Sequence, residues 1–364
     1  MKVLDAAGRG RISDVISALD YLVSHKDTLN IRVVNMSIAT GVYESYDTDP
    51  LTLAAKHAVE AGIVVVAAAG NRGRNPNGHD AYGGVTAPGN APWVLTVGAS
   101  SHMGTTSRGD DTMAVFSSRG PGAVDNGAKP DVVAPGVGIE SLSDPDSAFY
   151  TSKSKYLLNG TVSTSYLPYL SLSGTSMASP VVSGTIALML QANPALTPNQ
   201  VKAILQYTSQ IYADYDPLTQ GAGFVNARGA VTLARHFAVP SSTYPSTSGW
   251  SRRVIWGNRL MKGDRLSAGA NAWAVDVTWG ASSTSSGQRV TTGLTPTRNV
   301  VWGSACGGAD CDGPWTVEGA SEDDSVVWGT DDADSVVWGT DDGDSVVWGT
   351  ACSDPACEPV VWEP

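Results

Sequence analysis

The run from Gly62 to Ala69, GIVVVAAA, carries no polar side chain and is rich in β-branched residues. A strand that alternates polar and apolar residues can leave one face to water, whereas a strand without alternation must be covered on both faces. This requirement excludes an open two-layer sheet and calls for helices above and below. The flanking sequence supplies them. Ile31–Ile38 is a second branched apolar run, again read as a strand buried on both faces, and helical spacing lies before and after it.

Taken in order, Val3–Leu4 reads as the end of a short strand and Ala7-Gly8-Arg9-Gly10 as a turn. Ser13 is then placed to cap a helix carrying Val15, Ile16, Leu19, Leu22 and Val23 at helical spacing. Asp49-Pro50 opens another helix through Val59, with proline in the first turn, where its missing N–H is harmless. Strand and helix alternate with short joins, which predicts an α/β fold with a parallel sheet between helical layers. Val94–Gly98, Met113–Ser117 and Val132–Ala134 add short strands, and the stretch from Ser141 to Leu170 reads as a polar surface loop. Thr197-Pro198-Asn199-Gln200 forms a capping box for a helix with Val201, Ile204 and Leu205, and Gly221–Val231 closes the body with a turn and a last helical segment.

Ser171–Gly184, SLSGTSMASPVVSG, passes from an extended segment into a helical pattern in which Val181, Val182, Ile186, Ala187, Leu188 and Leu190 form the apolar part. Ser176 falls in the first turn. Free N–H groups and the positive end of the helix dipole lie there, so a hydroxyl has stabilisation for an oxyanion beside it. Asn71 follows the Gly62–Ala69 strand directly, and functional groups gather at the carboxyl ends of strands in open parallel sheets.

The chain has 364 residues and a net charge of −12, unevenly placed: 16 basic and 18 acidic residues up to Pro240, 7 and 17 beyond it. A nearly neutral body is followed by an acidic tail, and neither a basic patch nor a nucleic-acid motif is present, which excludes nucleic acid as the expected partner. No apolar run is long enough to span a membrane. All four cysteines, Cys306, Cys311, Cys352 and Cys357, lie in the tail as two C-x4-C pairs without nearby histidine. That pattern fits disulfides in an oxidising compartment better than a metal site.

GTSMASP around Ser176 resembles the nucleophile motif of the subtilisin-like serine peptidases. VLDAAGRG at Val3–Gly10, VVNMSIAT at Val33–Thr40, GIVVVAAAGNRG at Gly62–Gly73, FSSRGP at Phe116–Pro121 and KPDVVAPG at Lys129–Gly136 match the same family in the same order. The resemblance covers the first 235 residues or so. It implies a three-layer subtilisin-like sheet and a secreted, monomeric serine endopeptidase acting on proteins or peptides. Ser176 is then the nucleophile, and Asn71 is the side-chain donor of the oxyanion hole beside the Ser176 N–H. Ser37, Ile38 and Ala39 are implied to line the substrate backbone and one wall of the primary specificity pocket. Ala67, Ala68, Ala69 and Gly70 are the other wall, and small residues on both sides suit a large uncharged side chain. No cofactor is implied, although structural calcium is compatible with the family.

A serine hydroxyl is a poor nucleophile until a base takes its proton. In the family the aspartate and histidine precede the segment that matches Val3–Gly10. His25, His57, His79, His102 and His236 stand in no His-Gly-Thr setting and read as exposed polar residues. The expectation is therefore a chain that is the remainder of a longer one, lacking the Asp-bearing strand between its first two, and inactive as it stands. The alternative is a non-catalytic body that binds peptide strands, attached to a surface by its tail.

Residues 1–238 are expected to form the peptidase body, 239–299 a Ser/Thr/Gly-rich linker, and 300–364 an acidic repeat tail. VIWGN at Val254, VVWGS at Val300, VVWGT at Val326, Val336 and Val346, and VVW at Val360 recur, and ten of the eleven tryptophans lie in this part of the chain. Each unit joins a β-prone core to an acidic turn, predicting short paired strands. The acidic turns match no calcium-binding loop pattern.

Overall fold

The computed structural model describes residues 1–4, 10–75, 78–239, 243–256, 259–262, 265–266 and 289–291. The later repeats and all four cysteines lie outside the described residues. The elements run α1 (Ile12–Leu29), β1 (Val33–Met36), α2 (Pro50–Glu60), β2 (Val64–Ala68), β3 (Leu95–Ser101), β4 (Thr112–Met113) and β5 (Val132–Pro135). Then come β6 (Ile139–Leu142), α3 (Ala148–Ser152), β7 (Leu157–Leu158), β8 (Tyr169–Leu172), α4 (Thr175–Ala192), α5 (Pro198–Thr208), α6 (Pro217–Gln220) and α7 (Ala227–Ala238). β9 (Arg253–Trp256), β10 (Arg259–Lys262) and β11 (Arg289–Thr291) follow.

β1, β2, β3 and β5 form the parallel sheet, with Val33 opposite Val64, Val66 opposite Leu95 and Val97 opposite Val132. Alternation along β2 explains its composition. Val64 and Val66 enter a core with Val182 and Ile186 of α4 and Leu233 of α7, while Val65 and Ala67 enter a second core with Val15 and Leu19 of α1 and Leu51 and Ala55 of α2. Every residue of β2 is buried. At about 1.5–3 kcal/mol for each fully buried large aliphatic side chain, a polar replacement on either face is strongly opposed.

Several local expectations change. Val3–Leu4 is not a strand, and part of the adjoining turn lies outside the described residues. The cap of α1 is Arg11, whose side chain makes no capping bond to the helix start, and Ser13 sits inside the helix, where its carbonyl accepts from Ser17 Oγ. β1 is only partly buried, because among the described residues it pairs with β2 alone. β4 is two residues long and reaches only the first residue of the short strand expected over Met113–Ser117. The Ser141–Leu170 stretch is not simply a loop: β6 and β7 flank β8 in an antiparallel sheet whose last strand leads into α4. Leu188 is 52 % exposed, since α4 covers the sheet with one face only. Asp49 and the Thr197/Gln200 capping box sit at their helix starts as the sequence predicts.

Beneath the far end of β5 lies a buried ion cluster. Asp131 Oδ2 accepts from Lys129 Nζ at 2.9 Å and from the Thr96 N–H at 2.8 Å; Asp131 Oδ1 lies 2.9 Å from Lys202 Nζ and accepts from Gln206 Nε2 at 3.0 Å. The lysines also donate to the Val94 carbonyl, so β3, β5 and α5 are tied at one point. Burial, partly offset by Asp131, pushes the Lys129 ammonium down to about 7. Folding then releases a proton between about pH 7 and the ordinary value of 10.5, and stability from this group rises with pH across that window. The urea midpoint should increase from pH 7 to 10 more in the native chain than in Lys129→Met; equal pH dependence would show that Lys129 does not titrate there.

Candidate active site

Ser176 and Asn71 come from different elements and meet at the mouth of α4. Asn71 follows β2, and its Oδ1 accepts from the Thr175 N–H at 2.9 Å and from Thr175 Oγ1 at 3.0 Å. Thr175 Oγ1 in turn accepts from the Gly70 N–H at 3.1 Å. With its oxygen doubly engaged, the Asn71 amide has its Nδ2 left as the donor. Gly174, with φ +155°, precedes the helix, and a β-carbon added there would lie 3.5 Å from Asn71 Nδ2 and 3.7 Å from the Ser176 nitrogen. The carboxamide and the Ser176 N–H, one of the helix-start donors without an intrahelical acceptor, therefore border one small space that glycine leaves open.

Ser176 is 7 % exposed, and its Oγ donates to the Ser37 carbonyl at 3.4 Å. Its own carbonyl has an unusual partner. Pro180, four residues on in α4, has no N–H to give it. Ser37 Oγ donates to that carbonyl instead, at 2.8 Å, and itself accepts from Asn35 Nδ2 at 2.7 Å. The end of β1 thus repairs a helix bond that proline removes.

Ile38 and Ala39 are buried beyond Ser37, and Ala68, Ala69 and Gly70 are buried at the end of β2. Thr86 and Ala87 connect the two segments. The Thr86 N–H and Oγ1 both donate to the Ala69 carbonyl, and Ala87 exchanges two 3.0 Å backbone bonds with Thr40. Sequence reasoning assigned no role to Thr175, Gly174, Thr86 or Pro180. The GTS wording held a signal for the first two, but Thr86 depends on chain folding between distant loops.

Among the described residues no imidazole or carboxylate contacts Ser176 Oγ. His25 bonds to the Tyr21 carbonyl and stacks on its ring, His57 lies 3.9 Å from Asp20, His102 Nδ1 accepts from the Gly104 N–H, and His236 packs on Tyr244. No cluster of metal-ligating side chains occurs among the described residues, and no described helix is long and apolar enough to cross a membrane.

A hydroxyl at a helix mouth beside two converging donors is the equipment of acyl transfer through a serine. Residues 1–246 match the Peptidase S8 or Subtilase family, and the chain belongs to that family. It is 39 % identical over 236 residues to the serine protease AprX of Bacillus subtilis, covering 64 % of this chain and 50 % of that protein. Subtilisin amylosacchariticus, from a Bacillus subtilis subspecies, is 32 % identical over 230 residues, covering 63 % and 48 %. Among solved structures, fervidolysin from Fervidobacterium pennivorans, a keratinolytic enzyme related to subtilisin, aligns over 61 % of this chain and 29 % of its own, at 28 % identity and a TM-score of 0.44. The chain spans half or less of the curated relatives named here.

Thr175→Val keeps the shape of the side chain but leaves the buried Gly70 N–H without an acceptor, a loss of about 1–3 kcal/mol. Denaturant unfolding should show that drop, and Thr175→Ser should recover most of it; an unchanged midpoint for Thr175→Val would show that the hydroxyl does not hold the strand end.

Proposed function

We propose that this chain carries the nucleophile and oxyanion hole of a secreted serine endopeptidase. The observation that supports it is the shared space above Gly174, bordered by Asn71 Nδ2 and the Ser176 N–H. In this reading Ser176 Oγ attacks the scissile carbonyl carbon and gives its proton to a base. The oxyanion is held by the two donors, and the amine departs with a proton to leave an acyl-enzyme that water hydrolyses. No described residue is assigned as that base or as its orienting carboxylate. Ser37–Ala39 and Ala68–Gly70 flank the substrate. The name of the Thermus relative, extracellular serine proteinase, supports export.

One feature favours the second reading, a body that binds peptide without cleaving it: among the described residues Ser176 Oγ engages a carbonyl oxygen and no base. A fluorophosphonate probe separates the parts of the proposal. Labelling of this chain should be slow, should map to Ser176, and should vanish in Ser176→Ala. Asn71→Ala should slow it further. In turnover, losing such a donor costs about 10²–10³, the size measured for the corresponding carboxamide of subtilisin itself. Labelling as fast as an intact serine protease would show that a base acts on Ser176 within this chain, and labelling at a different residue would overturn Ser176 as nucleophile.

A further inference from the structure

The first copy of the repeated motif begins at Val254, and its Val254-Ile255 pair, the part whose surroundings the structure describes, is docked. Residues assigned by composition to a linker run along α5: the Ser251 N–H donates to the Ser209 carbonyl, the Arg252 N–H to the Tyr207 carbonyl, and the Ile255 N–H to Gln206 Oε1. Val254 and Ile255 then point to opposite sides, as adjacent strand residues must. Val254, 4 % exposed, joins the main core, and Ile255, 1 % exposed, fills a separate niche of Ala128, Leu218 and Ala222. The cleft therefore reads an extended segment by backbone hydrogen bonds and by two successive branched aliphatic side chains.

The tail repeats carry that same pair. Val326-Val327, Val336-Val337 and Val346-Val347 are followed by Trp-Gly, as are Val254-Ile255 and Val300-Val301, while Val360-Val361 ends in Trp-Glu. Valine in place of Ile255 is smaller by one methyl group and fits the same niche. The preceding position differs in a telling way. Arg253 Nε is buried with no hydrogen-bond partner, an imperfect fit for a charged side chain, and the three central tail copies place Ser325, Ser335 and Ser345 there. A serine brings no unpartnered buried Nε, so at this position the repeats fit at least as well as the resident strand, whose remaining advantage is its attachment to the same chain.

We propose that the cleft along α5 is a receptor for the V-[V/I]-W-G motif, and that tail repeats of a second copy of this chain dock there in place of β9. The stoichiometry points outward. Each molecule has one such cleft among its described residues and five further copies of the aliphatic pair, so the surplus motifs of one molecule outnumber the resident pair and compete with it for the clefts of others. Exchange of an identical element between copies is a low-cost route to assembly, and several motifs on one tail add avidity. The tail is then a linker of peptidase bodies, a role independent of catalysis at Ser176.

The test uses the full chain and a fluorescent peptide of residues 332–343, DADSVVWGTDDG. Val254→Asp with Ile255→Asp should weaken the resident strand and let the peptide bind, read by anisotropy, with an affinity about 10²-fold above that of the native chain, because an intramolecular competitor is gone. Adding Leu218→Arg, which blocks the niche, should abolish that binding, and a peptide with aspartates for its two valines should not bind. A folded double variant that binds neither peptide, or both alike, overturns the proposal. Light scattering covers a double variant that does not fold. The native chain should self-associate with rising concentration, and a chain with serines at 326, 327, 336, 337, 346 and 347 should do so less; equal masses for the two overturn the proposal as well.

Discussion

Thr175 is the joint on which the site depends. Its hydroxyl accepts from the Gly70 N–H and donates to Asn71 Oδ1, and its own N–H donates to the same oxygen. One fully buried side chain thereby fixes the end of β2 against the start of α4 and sets which atom of the Asn71 amide is free. Oxyanion stabilisation works through donors that are already oriented, so that no reorganisation is needed when charge develops. Thr175 supplies that orientation without touching the space the donors border.

The surrounding packing serves the same end. Gly136 approaches so closely that an added β-carbon would meet Ala99, Gly174 and Ala178 within 3.1 Å, and the Gly174 N–H donates to the Gly136 carbonyl at 2.8 Å. Backbone from β5 thus supports the glycine whose missing side chain keeps the space open. Pro180 removes a helix bond, and Ser37 restores it from β1. The start of α4 around Ser176 is therefore held from the ends of two strands as well as by its own helix. The buried Lys129–Asp131–Lys202 cluster anchors the opposite end of the sheet to α5, so both ends of the parallel layer are pinned by polar contacts inside an apolar body.

Much of this was readable from residue types. The unbroken apolar run of β2 required two covering layers, and the structure has them. Asp49, Thr197 and Gln200 marked helix starts because capping is local chemistry. Ser13 misled because the helix begins two residues earlier, at an extended Arg11 that makes no side-chain capping bond, and local propensity does not register how far a helix extends once its face is buried. The β6–β8 sheet was missed because its strands are short, polar and exposed, without the alternation that reveals longer ones. That Asn71 lies against the start of the helix carrying Ser176 was legible through the wording of their motifs. Thr86, Ala87 and the Ser37 repair were not, because each depends on contacts between segments far apart in sequence. The docking of Ser251–Ile255 was hidden for the same reason: a Ser/Thr/Gly-rich composition signals a linker only until its few branched residues find a niche.

The central claim is that a carboxamide at a strand end and an N–H at a helix mouth address one oxygen. A crystal structure of the chain with a peptidyl boronate bound to Ser176 tests it directly. One boronate oxygen is expected at about 3 Å from both Asn71 Nδ2 and the Ser176 nitrogen. A bound boronate whose oxygens reach one of these donors but not the other would contradict the account.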